Sequence, residues 1–324
     1  MRIAVTGSIA TDHLMVFPGR FADQLMPDHL DRVSLSFLAD TLEVRRGGVA
    51  ANIAVGLARL GLRPVLVGAA GKDFADYDAW LRETGVDTGS VRVSETLHTA
   101  RFVCTTDADQ NQIATFYAGA MSEAKHIDLA PVAGTAELAV IAPDDIDAML
   151  RHTDECRRLG LPFAADPSQQ LARLDGEQAR RLVKGATYLF TNEYEAALLQ
   201  ERTGWTAEQV LQQVGTWITT LGPGGVVITR QDQPPLNVPA VLTLTPGDPT
   251  GVGDGFRAGF LAGTGAGLSL EPAAQLGCVL ATAVLESVGP QEYKLGAVEL
   301  LHRLERTYGV AAAVEIEPAL AGLS

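Results

Sequence analysis

Asp248-Pro-Thr-Gly-Val-Gly-Asp254-Gly-Phe-Arg-Ala-Gly-Phe260 is a glycine-rich turn that runs straight into a segment of helical spacing. Such a junction aims several unpaired backbone N–H groups, and the positive end of the helix dipole, at one point, which suits an anion. Asp254 falls in the first helical turn. A carboxylate there has two readings: a surface charge favoured by the dipole, or a group that takes the proton of an attacking hydroxyl while the N–H groups neutralise a phosphoryl group in transfer. The spacing matches neither common nucleotide fingerprint. Gly251-x-Gly253 lacks the third glycine of Gly-x-Gly-x-x-Gly, and Gly71-Lys72 is followed by Asp73 where a Walker-type loop needs Ser or Thr.

Upstream of this turn, short β-rich runs at 3–7, 64–68, 138–142, 163–166, 188–191 and 217–221 alternate with stretches of helical periodicity. That rhythm predicts an α/β fold, a mostly parallel central sheet flanked by helices, in one domain over 1–324. Two regions break it, 12–46 and 98–118. The second predicts a hairpin with arms 99–106 and 112–118 joined by Asp107-Ala-Asp-Gln-Asn111. Centred on Asp109, that turn makes Phe102 and Phe116 cross-strand neighbours on one face, able to clamp something flat. Together the two regions predict a small β-sheet lid. Its first part contains no convincing helix and two alternating runs, Val33-Ser-Leu-Ser-Phe-Leu and Leu42-Glu-Val-Arg.

Composition narrows the partners. The 324 residues are 47% hydrophobic and 20% charged, as expected of a folded chain. With 39 acidic against 25 basic side chains the net charge is −14, so nucleic acid is not expected as a partner. The longest charge-free stretches, 258–270 and 272–285, fall short of the ~20 apolar residues that span a bilayer, and no membrane span is expected. The opening Met1-Arg-Ile-Ala-Val-Thr-Gly reads as a buried strand and not as a signal peptide, which predicts a cytoplasmic protein. Cys104, Cys156 and Cys278 are far apart and form no Cys-x-x-Cys pair, so neither a disulfide framework nor zinc is expected.

A second glycine cluster is Arg45-Arg-Gly47-Gly48-Val-Ala-Ala-Asn52-Ile-Ala-Val-Gly-Leu-Ala-Arg-Leu-Gly61. Its glycine pair allows close approach of a ligand to the backbone, and Asn52 follows one helical turn later with an amide suited to a hydroxyl. Close packing of a small-residue helix on the sheet is the other reading.

The two clusters, in this order and about two hundred residues apart, resemble the paired signatures of the ribokinase-like sugar and nucleoside kinases, the PfkB family. Pro249 and Val252 depart from the commoner Thr and Ala, without removing a catalytic group. The opening Ser8-Ile-Ala-Thr-Asp12 and the stretch Asp166-Pro-Ser-Gln169-Gln170 are similar to the adenosine kinases of the mycobacterial type within that family. The resemblance implies an ATP-dependent kinase that uses Mg²⁺ and phosphorylates the 5′-hydroxyl of adenosine. Asp254 would be the general base, and Gly251, Val252 and Gly253 the anion hole. Asp12, Gly48 and Asn52 would hold the ribose hydroxyls, with Ser8, Ser36, Phe102, Phe116, Gln169 and Gln170 around the base.

On the ATP side the resemblance implies Asn192, Glu195, Thr220, Gly222 and Gly225, with Glu195 reaching magnesium through water. Asn192-Glu-Tyr-Glu195 has at the same time the form of a helix N-cap, and Thr220-Leu-Gly222-Pro-Gly-Gly225 that of a tight turn between strands. Asp248, with the Ser287-Val288-Gly289 turn, resembles a site for potassium. Lid strands of two subunits would pair in a homodimer. A kinase for ribose or another small sugar is the alternative within the fold. A nucleoside-binding regulator without catalysis is the alternative of another class, and it would have no need of Asp254.

Overall fold

The computed structural model describes residues 1–24, 35–243, 245–294 and 296–323. Thirteen strands are present among them: β1 Ile3–Thr6, β2 Ala10–Val16, β3 Thr41–Gly47, β4 Val65–Ala70, β5 Asp87–Val93, β6 Ala100–Thr106, β7 Gln112–Tyr117, β8 Leu138–Ile141, β9 Phe163–Ala165, β10 Tyr188–Asn192, β11 Thr216–Thr220, β12 Val226–Thr229 and β13 Leu236–Val238. Nine form one sheet in the order β13-β12-β11-β10-β9-β8-β1-β4-β5, parallel from β11 to β5 and antiparallel at β12 and β13.

Period-2 alternation distributes each parallel strand between two cores. Ile3 and Val5, Leu66, Leu138 and Val140, Phe190 and Ile218 pack with the helices Val49–Arg59, Val252–Gly265 and Leu270–Leu285. Their neighbours Ala4, Val65, Val67, Ile141, Phe163, Leu189 and Trp217 pack on the other face with the helices Ile146–Leu159, Gly176–Val183 and Glu193–Thr203. Both faces being covered, the strands read as continuous apolar runs, which is why they were legible in the sequence.

The remaining strands make the lid, a four-stranded sheet in the order β3-β2-β6-β7, with β2 and β6 parallel and the other pairs antiparallel. The hairpin has the expected register, Phe102 opposite Phe116, closed by the Asp107 N–H donating to Asn111 O at 2.9 Å. The alternating run from Val33 does not form a strand in its described part. Residues 35–38 are irregular, and Phe37 instead joins Phe17 and Phe21 in an aromatic trio with centroids 4.8–5.7 Å apart. Residues 33 and 34 lie outside the described residues. A short helix, Phe21–Gln24, stands where none was expected.

The chain leaves β1 toward β4 and β5 on one side and later fills the other side with β8 to β11, so the strand order reverses between β1 and β8. The crevice beyond the carboxyl ends at such a reversal is where open α/β sheets bind ligands. Ser8 and Pro143 follow these two strands, and the Ser8 N–H donates to Pro143 O at 2.9 Å.

Candidate active site

Two helices begin at this crevice. Val49–Arg59 opens behind Gly48, at φ 94°, and Val252–Gly265 behind Gly251, at φ 78°. A Cβ on Gly48 would lie 2.6 Å from Ser8 O and Ala10 N, and one on Gly251 2.4 Å from Pro290 Cβ. Conformation and close approach therefore both require glycine at these two positions. Farther along, a Cβ on Gly56 would fall 2.5 Å from Ala258 Cβ, so the two helices touch and their N-termini open onto the same space. That space is a cavity of about 290 Å³, with Ser8, Asp12, Gly48, Asn52, Phe116, Gln169, Gly251 and Asp254 in its wall. Two converging helix dipoles make it favourable to negative charge.

Asp254 is 9% exposed, and its Oδ2 accepts a hydrogen bond from Asn52 Nδ2 at 2.8 Å. Burial holds its carboxyl above the usual range. Arg257 and the Asn52 bond pull it back down, and Glu195 pushes it further up. Arg257, one turn on, donates to Asp166 Oδ1 at 2.6 Å and is buried with it. A Cβ on Gly253 would meet Arg257 Nη1 at 2.7 Å, so the guanidinium lies directly against the glycine turn. Burial works against its charge, but Asp166, Asp254 and Glu195 more than offset that and keep it protonated. The turn thus combines backbone donors, a buried cation and a buried carboxylate.

The lid supplies the opposite wall. Arg45, Asp12, Phe102 and Phe116 are paired in one row across β3, β2, β6 and β7, so their side chains share the face turned toward the cavity. Among the described residues no donor is bonded to the Asp12 carboxylate. Burial, followed by the charge of Asp248, pushes its pKa up to about 6 against the pull of Arg45. Asp248 is occupied: its Oδ2 accepts from Arg45 Nη1 at 2.8 Å and its Oδ1 from the Thr250 N–H at 2.9 Å. The carboxylate expected to hold potassium already carries a guanidinium.

Several expected contacts require correction. Phe102 and Phe116 are side by side on one face, too close for a ring to slot between them, so they form a surface and not a clamp. Only Phe116 reaches the cavity wall. Gln170 is buried, with its amide Nε2 donating to Asp144 O at 2.5 Å, and it is Gln169 that faces the cavity. Ser36 is exposed and absent from the wall. Thr250, Met121 and Pro143 line the cavity without having been singled out, and Arg257 and Asp166, although inside the quoted stretches, had been given no role.

The residues expected on the ATP side gather at the carboxyl ends of the next strands. Asn192 ends β10 and caps the following helix in a reciprocal pair, its Oδ1 accepting from the Glu195 N–H and Glu195 Oε2 from the Asn192 N–H, both at 2.8 Å. Thr220 ends β11, and Gly222 and Gly225, both at positive φ, form the tight connection to antiparallel β12. Among the described residues no group of three or more His, Cys, Asp and Glu is arranged to hold a metal. The capping pair uses Oε2 of Glu195 and leaves Oε1 for the hydration shell of a divalent ion, a common way of holding magnesium alongside phosphates.

A family model described as pfkB family carbohydrate kinase matches residues 7–295. A nucleoside kinase of Methanocaldococcus jannaschii is 31% identical over 263 residues, which cover 80% of this chain and 85% of that protein. A nucleoside kinase of Methanothermobacter thermautotrophicus is 30% identical over 267 residues, covering 81% and 85%. The structure of Burkholderia thailandensis nucleoside kinase in complex with inosine superposes with a TM-score of 0.83 at 35% identity, covering 95% of this chain and 98% of that one.

Proposed function

The chain belongs to the pfkB family of carbohydrate kinases, and from that membership and the geometry of the cavity we propose that it is an ATP-dependent nucleoside kinase whose substrate is adenosine. The observation that carries this reading is the cavity that brings a buried carboxylate behind a glycine turn, Asp254, together with Asp12, whose carboxylate has no bonded donor among the described residues, and an aromatic ring, Phe116. Asp12 and Asn52 are suited to the vicinal hydroxyls of a ribose. Phe116 and Gln169 offer a face and an amide to a base. A free sugar would leave the ring unused.

In the proposed reaction the 5′-oxygen attacks the γ-phosphorus of ATP, its proton passes to Asp254, and the bond from the γ-phosphorus to the β–γ bridging oxygen breaks, giving AMP and ADP. The N–H groups of Gly251 and Gly253 and the guanidinium of Arg257 bear on the charge spread over the transferred group, whereas the Val252 N–H, expected to join them, donates to Pro249 O at 3.3 Å. Magnesium arriving with ATP would supply further neutralisation, and Glu195 with Asn192 is the pair that would hold its waters. Arg45 supplies the positive charge beside Asp248, so the reading needs no potassium. We place the reaction in the cytoplasm, as purine salvage.

The outer face of the lid carries exposed Leu42, Val44, Ile113 and Tyr117. We propose that this face pairs with that of a second copy to give a homodimer, which sedimentation would reveal. The substrate is tested by coupled ADP release with adenosine, inosine, guanosine, cytidine and ribose. Adenosine should turn over with the highest kcat/KM. A preference for ribose over every nucleoside would overturn the reading.

A further inference from the structure

Gln291 lies in the loop after the Leu270–Leu285 helix, far from either glycine cluster in sequence, and its side chain is fully buried. We propose that Trp80 and Gln291 are positioning residues that decide which end of the Asn52 amide faces Asp254. The inference rests on the reading of Asp254 as the base of a kinase.

Four side chains form a directional relay. Trp80 Nε1 donates to Gln291 Oε1 at 3.2 Å, Gln291 Nε2 donates to Asn52 Oδ1 at 2.8 Å, and Asn52 Nδ2 donates to Asp254 Oδ2 at 2.8 Å. Its polarity follows from chemistry. An indole N–H can only donate, so the Gln291 atom facing it is the carbonyl oxygen, and the NH₂ end points the other way. There it meets Asn52 and Tyr77. The hydroxyl of Tyr77 already donates its one proton to Gly47 O at 2.8 Å, so toward Gln291, at 2.5 Å, it accepts. Asn52 is left one orientation, with oxygen to Gln291 and NH₂ to Asp254. Arg59 fixes the loop itself by donating to Gln291 O at 2.7 Å.

The reversed amide would set the Asn52 oxygen against the carboxylate and remove its donor. The correct one bonds Oδ2 and leaves Oδ1 of Asp254 for the attacking hydroxyl. It also leaves the second Asn52 N–H for a hydroxyl of the substrate. The Gln291 amide is itself fully bonded, its NH₂ to Asn52 Oδ1 and Tyr77 OH and its oxygen to Trp80, so it has no competing partner and keeps a single orientation.

The test is steady-state kinetics on Gln291→Met, which keeps the length but removes both polar ends, and on Trp80→Phe, which keeps a ring beneath the Arg46 guanidinium and removes only the N–H. Each is made in the wild-type and in the Asp254→Asn background. In the wild-type background Gln291→Met should lower kcat by about 10- to 100-fold, the scale of a lost hydrogen bond to a charged group, and Trp80→Phe by about 3-fold, with KM for ATP unchanged. In the Asp254→Asn background both effects should vanish, because no base remains to be oriented.

Equal losses in both backgrounds, or no loss in either, would reduce Gln291 to a packing residue and overturn the inference. If Gln291→Met fails to fold by circular dichroism, Trp80→Phe decides by the same comparison. Failure of the underlying reading shows differently. Asp254→Asn alone should cost at least ~10²-fold in kcat, as for a lost general base. If it turns over within a few-fold of wild type, the base assignment and this relay fall together, whereas a crippled Asp254→Asn beside a fully active Gln291→Met removes the relay alone.

Discussion

Asp12 presents to the cavity a carboxylate with no bonded donor among the described residues, and its pKa is pushed up to about 6 by burial first and by Asp248 second. The vicinal hydroxyls of a ribose would supply the donors, and they prefer the ionised form. Nucleoside affinity should therefore follow the fraction of Asp12 ionised in the free protein: nearly complete at pH 7, about one tenth at pH 5, hence a ~10-fold rise in Kd over that interval. ATP affinity, measured in the same buffers by calorimetry, should show no such step. The variant Asp12→Asn should bind adenosine weakly at every pH and lose the step. The same group makes a prediction for stability. An acid whose folded pKa lies above its ordinary 3.8 destabilises the fold when ionised, so the cost is present above pH 6 and disappears toward pH 4. Asp12→Asn should then stabilise the protein by at most about 3 kcal/mol at pH 8 and by almost nothing at pH 4, read from urea unfolding. An adenosine Kd that is flat from pH 5 to 8, with a wild-type-like response in Asp12→Asn, would refute the assignment.

Phe116, 52% exposed and in the cavity wall, should lose about 1–3 kcal/mol of adenosine binding on change to Ala, the range for base stacking, with little change in melting temperature. Phe102→Ala should lose less, and equal losses of adenosine and ATP affinity would mark the pair as packing only. Gly251→Ala introduces a side chain at φ 78° and a Cβ 2.4 Å from Pro290. It should cost at least ~1–2 kcal/mol from the left-handed backbone alone and lower kcat with it, which thermal melts and ADP release would report. With Arg45 on Asp248, the wild-type rate should be equal in K⁺, Na⁺ and a bulky organic cation at matched ionic strength, while Arg45→Ala should acquire a preference among them. A strong K⁺ activation of the wild type would show that the ion displaces the guanidinium.

What was legible in the sequence is what repeats locally. β1 and β8 announce themselves because every residue is buried and all but Thr6 are apolar, and β10 through its buried Leu189 and Phe190. The Phe102–Phe116 register followed from counting across a five-residue turn. The strand Asp87–Val93 escaped because only one of its residues is buried, and the antiparallel strands Val226–Thr229 and Leu236–Val238 because they are brief and partly exposed. At the site, the glycines and Asp254 were visible because their spacing carries a backbone requirement. Arg257, Asp166 and Gln291 were not, since each works through a partner distant in sequence: 91 residues separate Arg257 from Asp166, and 239 separate Gln291 from Asn52. A buried charged or amide side chain has no local pattern, and its partner is known only once the sheet order is known.

The same distinction explains which lid residues reach the cavity. β2 begins only four residues after β1 ends, and β3 runs directly into the Val49–Arg59 helix, so these two lid strands are tied to the cavity floor by very short joints. Gly7, at φ 148°, and Gly48, at φ 94°, stand in those joints, and backbone or methyl groups crowd each of them. With so little slack, the height of Asp12 above Ser8 and Gly48 is set by chain geometry alone. Phe116 inherits that placement through the row Asp12, Phe102, Phe116 of paired backbones. Ser36 has no such constraint. It sits on the long excursion between β2 and β3, outside either sheet, and is exposed. Positions tied to the sheet by a few residues reach the cavity, and Ser36, on a long connection, does not. Gln169 and Gln170 show the limit of this rule at a single step, because the turn that follows β9 sends the first amide into the cavity and buries the second on Asp144.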